Sequence, residues 1–269
     1  MPPRGERRLV LSRRNDPKQV RRNVNNTNTS PLMSTPSYTQ SARLYDALYH
    51  FKNYSDEHAK LRAFIQEFNS HANTLLDVAC GTGKHLELLS QHYQVEGLDL
   101  NAELLESARQ RCPHIPLHRG DMMEFELGHT FDVVTCLFSS IGFVKTVDGL
   151  ERAVACMARH LNHGGLLLVE PWFSPETFWT RRIVANYANE PELKIVWMYT
   201  SETEGQISVL DSHFLVGTPG GITHFTERHE LGLFTQHEYQ EAFQKAHLET
   251  HYDVKGLMGR GMYIGVSRK

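Results

Sequence analysis

LLDVACGTGKH, residues 75–85, decides the fold. An apolar run broken only by Asp77 ends at Gly81 and Gly83, and Lys84-His85 open a stretch with helical periodicity. This is a strand passing through a glycine turn into a helix. The glycines let the backbone come close to a ligand, and the helix N-terminus offers free N–H groups. Three ligands compete for such a turn. A dinucleotide fingerprint needs a third small residue for helix–strand packing, and Leu86 stands there. A phosphate-binding loop needs GxxxxGK[ST], and Lys84 has neither the spacing nor the hydroxyl partner. The third, S-adenosylmethionine, wants an acid within the glycine motif, which Asp77 supplies.

The next two strand ends bear on the choice. EGLDLN places Asp99, with Leu100 beside it, where a carboxylate can accept hydrogen bonds from both hydroxyls of a ribose. RGDMMEF places Asp121 and Met122 after the third strand, a carboxylate for an adenine amine and an apolar neighbour for its ring. One acid at a strand end is commonplace. The ordered set Asp77, Gly81, Gly83, Asp99 and Asp121 on three successive strand ends reads as a class I S-adenosylmethionine-dependent methyltransferase.

The surrounding pattern agrees. Strands are expected at 74–80, 94–100, 115–118, 131–138 and 165–171, with helices at 84–92, 102–111 and 147–161 between them. Asn101 is the expected N-cap of the second of these helices, and Gly164-Gly165 the exit from the third. Repeated βα units imply a parallel sheet with right-handed crossovers. Two helices around the turn at 50–53 precede it. After Trp172 the pattern turns to strands at 193–200, 207–216 and 222–234, separated by Glu204-Gly205 and Pro219-Gly220-Gly221. A helix (236–246) and two strands (248–254, 262–266) finish the chain. The expected architecture is α/β, a Rossmann-like class I methyltransferase with a mostly parallel seven-stranded sheet and a small antiparallel β insertion. Its parts are a basic, disordered leader (1–37), a cofactor-binding core (38–172), a substrate-side insertion (173–234) and a terminal helix with the last two core strands (235–269).

Bulk properties narrow the function. The chain of 269 residues is 40% hydrophobic, enough for one large domain. Cys80, Cys112, Cys136 and Cys156 form no CxxC pair, so neither a metal site nor a disulfide framework is expected, and the compartment reads as a reducing cytoplasm. No apolar run approaches the roughly 18 residues that span a bilayer. Residues 1–32 carry eight Lys/Arg against two acids, net +6, which leaves −9 for the rest. Such a leader suits nucleic acid, transit or mere disorder, and Met33 is a candidate start of the natural chain. The acidic remainder argues against a nucleic-acid enzyme, as does LFSS where base-flipping amino-methyltransferases carry [DN]PP[YF]. A homodimer through an exposed edge of the inserted sheet is a further expectation.

A closer resemblance rests on LLDVACGTGKHL, VEGLDL, GDMMEF, VTCLFSSIGF, VEPWFSPETF, GITHFTERHELGLFTQHEYQEAF and GRGMYIGV. From about Tyr38 to the C-terminus, the chain resembles the N,N-dimethyltransferases that finish desosamine and mycaminose on dTDP carriers. The resemblance implies that Tyr45 and Tyr54 lie against the cofactor, that Ala79, Asp99, Asp121, Met122 and Leu137 occupy its other positions, and that Tyr38 and Arg260 face the acceptor. The departures fall on the acceptor side. The family's SSIGH is SSIGF here, so Phe143 replaces a histidine associated with the reacting amine. EPWWF is EPWFS, which alters the wall formed by Trp172, Phe173 and Ser174, and Val196 stands for an arginine.

Phe143 leaves a proton without an evident acceptor. The loop FDVVTCLFSSIGF has no His, Asp, Glu or Lys before Lys145. Water can take the proton, another histidine can reach in (His229 or His224, on the last strand of the insertion), or the acceptor needs no strong base. Strand alternation puts these two histidines on opposite faces, so at most one faces the site. Phe143 itself can hold a sulfonium or alkylated ammonium by cation–π attraction, or simply pack and dry the pocket. The expected activity is N-methylation of a nucleotide-linked amino sugar or similar amine. A different small-molecule acceptor and a non-catalytic cofactor-binding regulator are the alternatives.

Overall fold

A computed structural model describes residues 38–268; the expected leader lies outside the described residues. The described residues open with a 3-10 turn (Ser41–Leu44) and two helices, α1 (Tyr45–Leu48) and α2 (Tyr54–Phe68). Alternation follows as β1 (Thr74–Val78), α3 (Lys84–Leu89), β2 (Gln94–Asp99), α4 (Ala102–Arg111), β3 (Leu117–Arg119), β4 (Phe131–Cys136), a 3-10 turn (Ser140–Val144), α5 (Val147–Arg159) and β5 (Leu161–Val169). Four long strands come next: β6 (Ile183–Asn189), β7 (Lys194–Glu204), β8 (Ile207–Thr218) and β9 (Gly221–Gly232). The chain closes with α6 (Gln236–Lys245), β10 (Leu248–Asp253) and β11 (Met262–Ser267).

The strands form two sheets. Seven take the order β10-β11-β5-β4-β1-β2-β3, in which only β11 runs against its neighbours; four take the order β6-β7-β8-β9, all antiparallel. The order reverses between β1 and β4, where parallel α/β sheets place their ligands at the carboxyl ends. Strands buried on both faces read as continuous apolar runs, and here alternate residues feed opposite layers. Leu76, Val78, Val134 and Leu167 pack with α5 and α6, while Leu75, Val133, Leu166 and Leu168 pack with Leu61 and Ile65 of α2 and Leu105 of α4. Asp77 shares the second face with Leu75, and its register partner on β4 is Thr135.

Asn101 caps α4 as expected, its side chain accepting from the N–H groups of Glu103 and Leu104. Two differences have physical causes. β5 begins at Leu161 and runs through Gly164-Gly165, because a wide irregularity in its pairing with β4 absorbs the glycines: Phe131 pairs Leu161, yet Val133 pairs Leu166. β6 was not anticipated at all. It is an edge strand with most side chains exposed, so its sequence lacks a clean apolar alternation. The inner face of the four-stranded sheet (Ile195, Trp197, Phe214, Val216) closes over Leu48 of α1.

Candidate active site

At the switch point the glycine turn is built from positive-φ residues: Ala79 (61°), Gly81 (57°) and Gly83 (77°). The left-handed geometry at Gly83 coincides with close packing, since an added Cβ would meet that of Ala108 at 3.2 Å. The turn is tied to the next strand by Asp99, which accepts from Gly81 N–H at 2.8 Å through one oxygen and from Asn101 N–H at 2.8 Å through the other. Asp99 is 7% exposed, and burial raises its pKa against these bonds. Leu100, next to it in sequence, and Met122 are half-buried, and Asp121 accepts from Met123 N–H at 2.9 Å. Asp77 is buried at the end of β1 and accepts from Thr135 Oγ1 at 2.8 Å; burial pushes its pKa up to about 6.

A cluster of rings adjoins this turn. Tyr38 lies 5.3 Å from Tyr45, 6.1 Å from Phe143 and 4.8 Å from His229, centroid to centroid. Its carbonyl accepts from Asn101 Nδ2 at 2.8 Å, which links this tyrosine to the cap of α4. Glu227 holds the same segment from β9, accepting from Gln40 N–H at 2.6 Å, Ser41 N–H at 3.0 Å and Thr39 Oγ1 at 3.0 Å. Burial works to raise the Glu227 pKa, but these donors and Ser41 Oγ outweigh it and hold it low. The two histidines part company, as strand alternation requires. His229 is buried against Tyr38 with Nε2 at 3.6 Å from Glu227, and burial lowers its pKa. His224 is exposed on the other face, paired with His213 at 3.3 Å. Val196 is likewise on the outer face, 40% exposed.

Beyond β4 the chain curls through Phe138 (φ 51°) and Ser139 (φ 60°), and Phe138 N–H donates to Glu170 at 2.7 Å. Arg260 is no solvated turn residue. Its side chain is 18% exposed, stands 3.6 Å from Glu170, and covers the rings of Phe138 and Trp172 at 5.5 and 5.7 Å. Trp172 donates to Ser208 Oγ at 2.9 Å, and Phe173 packs on Trp172, Phe178 and Trp179. Leu137 is buried within the α2-side core. Tyr54 packs against His85 at 5.1 Å.

Sequence reasoning missed four residues of this region. Tyr49 meets Tyr45, Phe138 and Trp197 at 4.7, 5.1 and 5.7 Å, and its hydroxyl lies 3.3 Å from that of Tyr38. Glu170 is fully buried, and Lys52 and Glu57 form a buried pair at 3.1 Å. VEPWF was a usable signal for Glu170, a lone acid at the end of an apolar strand. Nothing local marks Lys52, which reads as a turn lysine. Among the described residues no His/Cys/Asp/Glu cluster could hold a metal, the four cysteines are free and buried, and no helix is long and apolar enough to cross a membrane.

A methyltransferase-domain family profile matches residues 75–165. Dimethyltransferases align far more widely. The dTDP-3-amino-3,4,6-trideoxy-alpha-D-glucopyranose N,N-dimethyltransferase of Streptomyces venezuelae is 39% identical over 229 residues, 84% of this chain and 97% of its own. The dTDP-3-amino-3,6-dideoxy-alpha-D-glucopyranose N,N-dimethyltransferase of Streptomyces fradiae is also 39% identical, over 84% and 90%. In solved structures, DesVI of Streptomyces venezuelae superposes with a TM-score of 0.81 at 38% identity, covering 86% of this chain and 99% of that one. CalS10, an amino pentose methyltransferase from Micromonospora echinaspora solved with S-adenosylmethionine bound, gives 0.77 at 38%, covering 86% and 98%. By its fold, its glycine turn and this similarity over most of its length, the chain belongs to the S-adenosylmethionine-dependent N,N-dimethyltransferases of amino sugars.

Proposed function

We propose that the chain N-methylates the amine of a nucleotide-linked amino sugar. One observation carries this reading. The general methyltransferase profile stops at residue 165, whereas similarity to the sugar enzymes extends over 84% of the chain and so takes in the four-stranded sheet on the acceptor side. The direct test is a mass-resolved assay with purified protein, S-adenosylmethionine and a dTDP-linked amino-dideoxyhexose. The expected result is a product heavier by one or two methyl groups; cofactor binding without product would refute the reading.

The cofactor's proposed place follows from the chemistry of the turn. Asp99 accepts backbone hydrogen bonds on both oxygens, and its remaining lone pairs can accept from the hydroxyls of a vicinal diol. Asp121 and Met122 would hold the adenine, Asp77 and the Ala79–Gly83 turn the amino-acid end with Tyr45 and Tyr54, and Leu100 and Leu137 would line the remainder. When bound, S-adenosylmethionine supplies an electrophilic methyl group. The protein's task is then to hold a nucleophile in line and exclude water, and orientation of this kind is worth up to roughly 7–11 kcal/mol in favourable cases. Tyr38, Phe143, Trp172 and Phe173 would form the dry wall around the acceptor, and Arg260 would meet its anionic carrier.

Phe143 cannot take the amine's proton. Of the two candidate histidines, His224 is exposed on the outer face, so His229 is the proposed proton acceptor, with Glu227 as its neighbour. Burial favours its neutral form, the form that accepts a proton. Phe143 also supports a second reading, a different small-molecule amine as acceptor. We further propose a cytoplasmic homodimer without nucleic-acid partners. The apolar outer face of the four-stranded sheet (Tyr187, Val196, Met198, Leu215) supports the dimer, and the net −9 outside the leader argues against a polyanion.

A further inference from the structure

Glu227 commits its carboxylate to a distant segment. The side chain is 6% exposed on β9, and its Oε1 accepts from Thr39 Oγ1 at 3.0 Å, Gln40 N–H at 2.6 Å and Ser41 N–H at 3.0 Å. Its Oε2 accepts from Ser41 Oγ. These four donors come from three consecutive residues, 186 to 188 positions earlier in the chain. They leave little for the imidazole on the same strand: His229 Nε2 stands 3.6 Å away, beyond hydrogen-bond reach. The donors also hold the Glu227 carboxyl below its usual range, so the charge persists at neutral pH.

Thr39 and Gln40 are exposed and polar, so apolar packing does not fix them. Immediately before them Tyr38 takes a left-handed backbone (φ 61°), which a residue with a side chain adopts only where its surroundings impose it. Two polar contacts impose it here. Glu227 fixes the chain just after Tyr38, and Asn101 Nδ2 donates to the Tyr38 carbonyl at 2.8 Å. The ring so placed lies 4.8 Å from His229 and 6.1 Å from Phe143, with its hydroxyl 3.3 Å from that of Tyr49.

We propose that Glu227 is a positioning residue: by holding residues 39–41 it sets Tyr38 in the acceptor wall, and it acts on turnover through that tyrosine. This rests on the reading that Tyr38 faces the acceptor. Glu227 then takes no part in the proton transfer, which stays with His229.

A double-mutant cycle tests whether one residue acts through another. The readout is kcat/KM on a dTDP-linked amino-dideoxyhexose for wild type, Tyr38→Ala, Glu227→Gln and the double variant, with S-adenosylhomocysteine titrated calorimetrically into each. Glu227→Gln keeps the shape and loses the charge, so it should lower kcat/KM about tenfold while S-adenosylhomocysteine binds within about twofold of wild type. Tyr38→Ala should lower kcat/KM about 100-fold. The double variant should then fall no more than about twofold below Tyr38→Ala, because the grip has nothing left to place. Losses that multiply, to about 1,000-fold in the double variant, would overturn the proposal and leave Tyr38 at the acceptor. So would a Glu227→Gln enzyme with wild-type kcat/KM. One that no longer binds S-adenosylhomocysteine would overturn it too, by making the carboxylate a support of the fold alone. A Tyr38→Ala enzyme with wild-type kcat/KM, or a wild type inactive on the sugar, would instead take down the acceptor reading beneath it.

Discussion

The glycine-turn region and the ring cluster meet at Tyr38, and they are built by different means. Around Asp99 the structure rests on directed hydrogen bonds: Gly81 and Asn101 N–H groups fix the carboxylate, and Asn101 in turn caps α4 and binds the Tyr38 carbonyl. Around Tyr38 the contacts are ring on ring, with Phe143 and Tyr45 against it and Tyr49 against Tyr45. A directed network fails when one member changes, because the remaining buried groups lose partners. A ring-lined wall accepts exchange of one flat side chain for another. That contrast explains how a phenylalanine can stand where relatives are expected to carry histidine, while Asp77 and Asp99 keep their hydrogen bonds in the turn.

The comparison breaks first if the network proves tolerant. Asp99→Asn should cost roughly 10²–10³-fold in S-adenosylhomocysteine affinity, since at least one of two charge-assisted bonds is lost along with the diol partner; calorimetry reads it. Asp77 sharpens the same half by separating function from stability. Its pKa is raised from 3.8 to about 6 by burial, so the ionised form burdens the fold. The burden is absent below pH 3.8, grows between 3.8 and 6, and is complete above 6. Asp77→Asn should therefore stabilise the protein by about 3 kcal/mol at pH 7.5, with no gain at pH 3.5, in denaturant titrations at the two values. It should weaken cofactor binding at the same time.

On the ring side the effects should be smaller and confined to turnover. His229→Gln should lower the methyl-transfer rate by about 10²-fold with cofactor affinity unchanged. Wild-type kcat/KM should rise with pH as the imidazole loses its proton, and the variant should lack that limb. The groups facing this imidazole are Glu227 on its own strand and Tyr38 across from it, and Tyr38 titrates far above the range concerned. His224→Gln should change nothing measurable in the same assay, because that side chain faces outward.

How far the sequence revealed these halves follows from how each is built. The turn was legible because strand, glycines and cap are local: LLDVACGTG and LDLN each carry their own periodicity and their own polar signal. The seven-stranded sheet followed from the same alternation. β6 escaped because an edge strand exposes most of its side chains and needs no apolar rhythm. Lys52 escaped for another reason. Its surroundings bring together α2, Phe138 in the loop after β4 and the loop at Met258, more than 200 positions downstream, and no window of sequence contains them. The outward placement of Val196 corrects the expectation that it is one of the acceptor-side departures.

The central claim is that the two halves are separable, and Phe143→His tests it most directly. Restoring the expected histidine should raise the methyl-transfer rate on a dTDP-linked amino sugar by about tenfold while the dissociation constant for S-adenosylhomocysteine stays within about twofold of wild type. A rate and an affinity that change together, or a rate that does not change at all, would contradict the account.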